Sequence, residues 1–224
     1  MRPPKNIKET TMENDTLDSP KSLKHYTNFY SLISILSTKS LYLSDPAGWE
    51  DKNDFASVDA FARSRSCSVR IFCLTYEEEA VHHWNTYAEG MTGCRIDFNT
   101  GLFLKKVESI PGLICRKMEY LKYPFDLSKY KADDYPFIKR NPYKCDMEYR
   151  VVWAGKGKPP VIPTDGLIKR VTLSPYMKDN VRDSVCNLIK DKYKIKEVCK
   201  SAILNYPQWT GLFEKKPARK KNKA

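Results

Sequence analysis

Residues 23–46 read LKHYTNFYSLISILSTKSLYLSDP, and the order of their side chains sets the fold class. Leu23–Thr27 strings together apolar, aromatic and β-branched residues, the composition of a short strand. Asn28 can accept a hydrogen bond from the backbone of the turn that follows, so it caps a helix. Behind it, Phe29, Leu32, Ile33 and Leu36 keep the i, i+3, i+4, i+7 spacing that gives a helix one apolar face. Leu41–Ser44 resumes an extended pattern and Asp45-Pro46 stops it. A strand, an amphipathic helix and a second strand in so short a stretch predict a domain that mixes the two element types.

Working outward, Val69–Tyr76, Cys94–Phe98, Glu148–Trp153 and Leu167–Leu173 are further strand candidates, rich in aromatic and β-branched residues. A second helix is expected directly after Ser174-Pro175, a capping residue followed by proline at the first helical position. Its apolar face would carry Met177, Val181, Val185, Leu188 and Ile189. Strands outnumber long helices and no repeat is visible, so the expectation is a single α+β domain over residues 21–212. Residues 1–20 and 213–224 lack apolar periodicity and are expected to be disordered.

The chain has 224 residues, 41% of them hydrophobic, enough for one real core. No stretch approaches the roughly 20 apolar residues of a membrane span, and the first residues lack the apolar run of a signal peptide. A cytoplasmic protein with no membrane partner is expected. Seven scattered cysteines without a CxxC pair favour reduced thiols over a disulfide framework or zinc knuckle. The formal net charge is +12; residues 215–224 carry six positive charges and residues 1–20 a net −1, leaving +7 on residues 21–214. A basic body attracts polyanions or a dinucleotide, and a basic tail provides a sequence-tolerant phosphate contact.

Few residues can do chemistry. His25 lies just ahead of a helix start, where it reads either as a core-edge histidine bonded to backbone or as a ligand contact. His82 and His83 are adjacent and point about 100° apart on a helix, so the two do not form a same-face metal pair. Asp45, Glu50, Asp51 and Asp54 form an acidic cluster, read either as solvated loop acids or as oxygen ligands for the Mg²⁺ of a nuclease. Trp84 and Tyr87 share a helical face as core packing or a stacking platform. Strand alternation places Glu148 and Arg150 on one face and Tyr149, Val151 and Trp153 on the other. That pair is a salt bridge on a surface, or a catalytic carboxylate with its positioning cation if the face lines a cleft.

The ordered set KHYT, LYLSDP, HWNTYAEGMTGCRIDF and EYRVVW resembles an uncharacterised family of bacterial domains found in abortive-infection and phage-defence settings, with the pattern H-Y-T, L-S-D-P, W-x-x-Y-A-x-G and E-x-R. That family in turn is distantly similar to ADP-ribosyltransferases. The resemblance implies a split, mixed β-sheet with flanking helices and NAD as co-substrate, with no metal. His25, Tyr26, Thr27, Tyr42, Ser44, Asp45, Trp84 and Tyr87 would surround NAD, with one ring of Tyr42, Trp84 or Tyr87 on nicotinamide. Glu148 would stabilise the positive charge that builds on the ribose as its bond to nicotinamide breaks, while Arg150 would orient Glu148 or meet the pyrophosphate. Tyr26 stands where that class often has glycine. The implied partners are a macromolecular acceptor, nucleic acid (RNA or DNA) ahead of protein, and a neutralising antitoxin. Two other readings compete: a metal-dependent nuclease using Asp45, Asp51 and Asp54, and a non-catalytic module that binds nucleic acid or a partner protein.

Overall fold

Asn28 does what its position predicts: its side chain accepts from Ser31 N and turns strand β1 (Lys24–Asn28) into helix α1 (Phe29–Thr38). The computed structural model describes residues 20–213; the expectations for the N-terminal segment and the basic tail fall almost wholly outside them. After α1 come β2 (Ser40–Tyr42), α2 (Lys52–Arg65), β3 (Ser68–Thr75), α3 (Val81–Thr86), β4 (Gly93–Phe98) and α4 (Thr100–Glu108). Then follow β5 (Leu113–Lys117), β6 (Glu119–Leu121), β7 (Ile138–Arg140), β8 (Glu148–Gly155), β9 (Val161–Pro163) and β10 (Ile168–Leu173). The chain continues through α5 (Asp179–Tyr193), β11 (Glu197–Lys200) and the short α6 (Pro207–Thr210). Seven strands form one mixed sheet in the order β11-β10-β4-β1-β3-β8-β5. Every neighbouring pair is antiparallel except β10 and β11. The result is one mixed α/β domain, and no helix among the described residues is long and apolar enough to cross a membrane.

One face of the sheet is apolar. Phe72, Leu74, Ile96, Val151, Val171 and Leu173 pack with Leu32 and Leu36 of α1, Phe103 and Val107 of α4, and Val185 and Ile189 of α5. Each such fully buried side chain contributes about 1.5–3 kcal/mol. On the opposite face, Val69, Ile71 and Val152 pack against Val58 and Phe61 of α2, and beyond them the face turns polar. Of the acidic cluster, read as solvated loop acids or metal ligands, Asp54 lies in this second helix and Asp51 caps it, while Asp45 and Glu50 precede it. The helix expected directly after Ser174-Pro175 begins at Asp179 instead, because Ser174 Oγ accepts from Tyr176 N and ties the proline into a turn. Of its expected face, Val185 and Ile189 are buried within the helix, while Val181 and Leu188 are exposed.

The two halves of the sheet barely meet. β1 pairs with β4 over five residues, yet with β3 only at Lys24–Thr75. The rest of the β3 edge is satisfied by other means, since a buried carbonyl or amide without a partner is costly. His25 Nδ1 donates to the Cys73 carbonyl at 2.8 Å, with its ring 4.2 Å from that of Phe72. Ser44 exchanges both backbone hydrogen bonds with Ile71 and adds one from its Oγ. The histidine and the serine of the two opening motifs therefore serve as edge covers where the sheet parts.

Burial holds the pKa of His25 down to about 4, against 6.5 when free. The unfolded chain thus takes up a proton between these values that the folded chain refuses, and stability falls as pH drops from about 6.5 towards 4. Urea unfolding of His25→Ala at pH 7 is expected to show a loss of about 1–3 kcal/mol from the unpartnered Cys73 carbonyl, and the gap to the parent should narrow at pH 4.5. An equal loss at both pH values would refute the neutral, carbonyl-bound imidazole.

Candidate active site

Strand alternation sends Glu148 and Arg150 to the polar face of β8, and both are buried, at 6% and 1% exposure. The surface salt bridge is thereby excluded. Arg150 makes bonds from all three guanidinium nitrogens: Nε and Nη2 donate to the Glu148 carboxylate at 2.6 and 3.1 Å, Nη1 and Nη2 to Asp54 at 2.9 and 2.5 Å, and Nη1 also to the Pro136 carbonyl at 3.1 Å. That uses the full donor set of the group. Its planar face lies 4.9 Å from the Trp49 ring. Because Asp54 belongs to α2 and Pro136 to a 3₁₀ turn, this one side chain ties two further segments to the sheet.

Lys139, from β7, lies on the other side of Glu148. Its Nζ donates to Glu148 Oε2 at 3.2 Å and Asp146 Oδ2 at 3.1 Å, and lies 3.6 Å from Asp54 Oδ2. Asp146 also accepts from the Tyr87 hydroxyl at 2.7 Å, and the Glu148 amide donates to the Tyr120 hydroxyl at 2.8 Å. Three carboxylates thus face two cations. Burial works against the charge of Glu148, but Arg150 and Lys139 outweigh it and bring the carboxyl pKa down to about 2. Burial likewise opposes the charge of Lys139, and Glu148 and Asp54 overcome it, raising the ammonium pKa. Burial, then the bond to Asp146, raises the Tyr87 hydroxyl pKa. The site at neutral pH is an ionised, hydrogen-bonded network.

The predicted residues fall into distinct places. Glu148, Arg150 and, through Asp146, Tyr87 are brought together. His25 is not: Lys24, Thr75 and Glu148 share one rung and one face, so the next side chain along β1 points to the other face, where Thr27 also lies. Tyr26 returns to the Glu148 face but packs edge-on against Trp84 at 5.1 Å in a separate small cluster. Trp84 is fully buried, its Nε1 bonded to Glu79 at 2.8 Å, so it is core rather than a stacking platform. Tyr42 is exposed on β2, and Ser44 is committed to Ile71. Asp45 caps a 3₁₀ turn and pairs with Arg70 at 3.0 Å. Arg150 is too deeply held to meet a pyrophosphate and acts as the positioning group for Glu148. Within the third motif, Gly90 takes a positive φ of 59°, and a Cβ at Gly93 would press within 2.9 Å of the Ala88 Cβ, so these small residues serve packing and turning.

The acids of the nuclease reading do not converge either. Asp45 serves Arg70, Asp51 accepts from Asn53 N to start α2, and Asp54 is held by Arg150. Sequence reading missed Asp54 as an ion partner, and Lys139, Asp146 and Tyr120 altogether. The repeat of charged residues at 146, 148 and 150, ahead of an apolar strand, was the available signal for Asp146. Comparison of the chain with models of protein families and with curated proteins finds no match.

Removing one member of a buried ion network strands the others. Arg150→Met is expected to lower the unfolding free energy by about 3–5 kcal/mol, and Arg150→Lys to recover little of it because an ammonium lacks the fork geometry. Denaturant titration of both variants tests this, and a loss under about 1 kcal/mol would place Arg150 outside the structural network.

Proposed function

We propose that the chain is an NAD-dependent ADP-ribosyltransferase acting on a macromolecule, with nucleic acid the favoured acceptor. The observation that carries the reading is the parting of the sheet between β1 and β3, with an ionised Glu148 on the rung where the halves still touch. The motif resemblance implies a split sheet with His25 and Glu148 around one NAD. The sheet does part here, but the two side chains leave it on opposite faces, so of the pair Glu148 alone supports the reading. In this reading Glu148 supplies negative charge beside the ribosyl centre as nicotinamide leaves, and Arg150 and Lys139 fix its orientation. Tyr87, 40% exposed and one hydrogen bond from the network, is the ring best placed to meet the nicotinamide. His25 makes no contact with NAD in this reading: its Nδ1 bridges β1 to the Cys73 carbonyl of β3 on the opposite face of the sheet.

The acceptor preference rests on the loop between β6 and β7, both of which contribute side chains to the Glu148 network. Tyr123 is 85% and Phe125 52% exposed on it, with Lys122, Lys129 and Lys131 alongside. Exposed rings among cations suit unpaired bases, which stack at about 1–3 kcal/mol each. The same feature favours the second reading, a module that binds single-stranded nucleic acid without transfer.

Labelled NAD incubated with bulk RNA, DNA or lysate protein separates these. Transfer to nucleic acid is expected, with Glu148→Gln slowing it by on the order of 10²–10³ when rates are normalised to the folded fraction seen by circular dichroism. Binding of nucleic acid with no turnover of NAD would select the second reading, and unchanged turnover in Glu148→Gln would remove Glu148 from the chemistry.

A further inference from the structure

Asp146 uses only one of its carboxylate oxygens in the network described above. Oδ2 accepts from Tyr87 and Lys139, which leaves Oδ1 turned towards His82 Nε2 at 3.6 Å. That separation is too long for a hydrogen bond. His82 Nε2 is nevertheless shielded from solvent and has no hydrogen-bond partner. The thiol of Cys145 completes the group: one donor atom from each of His82, Cys145 and Asp146 lies within 4.8 Å of the other two, the one such cluster among the described residues.

The 3.6 Å between His82 Nε2 and Asp146 Oδ1 fits two ligands of one ion better than two partners of each other, and the Cys145 thiol lies within 4.8 Å of both. Around a tetrahedral ion with bonds of about 2.0–2.3 Å, neighbouring donor atoms stand roughly 3.4–3.7 Å apart. A nitrogen, a thiolate and a carboxylate oxygen form a borderline-soft set of the kind that selects zinc over magnesium or calcium. The cluster is also held in place before any ion arrives. Thr75 Oγ donates to the Asp146 carbonyl at 2.7 Å and Tyr76 N to the Met147 carbonyl at 3.1 Å, pinning the turn that carries Cys145 and Asp146 to the end of β3, shortly before α3 and His82. The bonds from Tyr87 and Lys139 to Oδ2 are the outer-shell contacts that orient a ligating carboxylate.

The surroundings leave a side open. A cavity of about 470 Å³ is lined by Glu77, Glu78, Glu79, His82, Cys145 and Met147, with Lys144 at its wall. Glu79 is paired with Arg95, but Glu77 and Glu78 lend the cavity negative charge, which favours a cation over an anion. The adjacent pair His82-His83 does not supply two ligands to one ion, but here the second and third donors come from a distant part of the chain. We propose that His82, Cys145 and Asp146 bind one zinc-type divalent ion, with a fourth coordination position open to this cavity. The assignment stands on donor geometry alone and is independent of the NAD reading.

Cobalt(II) reports directly on such a site, because a thiolate ligand adds a charge-transfer band and a tetrahedral set intensifies the visible bands. Titration of reduced, chelator-treated full-length protein with Co²⁺ is expected to saturate at one equivalent with both features. Cys145→Ser should abolish the charge-transfer band, and His82→Gln should weaken binding at least about tenfold. Cys199→Ser, at an exposed thiol outside the cluster, should leave the spectrum unchanged. Circular dichroism of each variant confirms folding, since Cys145 is exposed. Absence of saturable binding by the parent protein would overturn the site; a charge-transfer band that persists in Cys145→Ser would assign the metal to other cysteines and overturn it equally.

Discussion

A guanidinium without water around it has to find an acceptor for every N–H it carries, and Arg150 is that group in this domain. Its needs dictate the arrangement of much of the polar face. Glu148 is supplied from its own strand, Asp54 from a helix far away in sequence and Pro136 from a turn, so β8, α2 and the approach to β7 are held in one geometry. A hydrophobic side chain there would need no such agreement between segments. The ion network makes the position of each partner conditional on the others, which is how a charged core specifies one arrangement at the cost of intolerance to change.

The other organising feature is the edge of β3. A strand whose neighbour departs after one pair exposes its backbone groups, and this chain covers them with a side chain and an isolated bridge rather than with more ladder. That choice explains why two motifs at the start of the sequence end up beside each other although an entire helix separates them. It also makes His25 a structural residue of the parting itself, one step along the chain from the rung that carries Glu148.

What the sequence revealed follows the same division. Strands β1, β3, β4, β8 and β10 were legible because their aromatic and β-branched runs announce themselves, and α1 because a cap and an apolar stripe coincide. Helix α2 was hidden by the very residue that matters most in it. Its buried stripe is Asp54, Val58 and Phe61, a regular helical spacing whose first member is charged, so the pattern reads as polar until Arg150 is known to lie beneath it. The sharing of a face by Glu148 and Arg150 was visible from alternation. Their burial was not, because Asp54, Lys139 and Tyr120 reach them across long separations that no local pattern records. For Trp84 and Tyr87, three residues apart, the sequence could not say which ring faces inward.

The parting of the sheet has a thermodynamic side. Where two strands share a full ladder, backbone hydrogen bonds join them, and these depend little on temperature. Here the halves are joined chiefly by apolar contact, with Phe72 and Leu74 from one half packed in the same cluster as Ile96 and Phe98 from the other. Apolar contact weakens on cooling and yields to pressure, since it depends on the hydration of nonpolar surface. Cooling and compression therefore act on the join between β1 and β3 mainly through its apolar contacts, with the one ladder pair and the His25–Cys73 bond as its polar links.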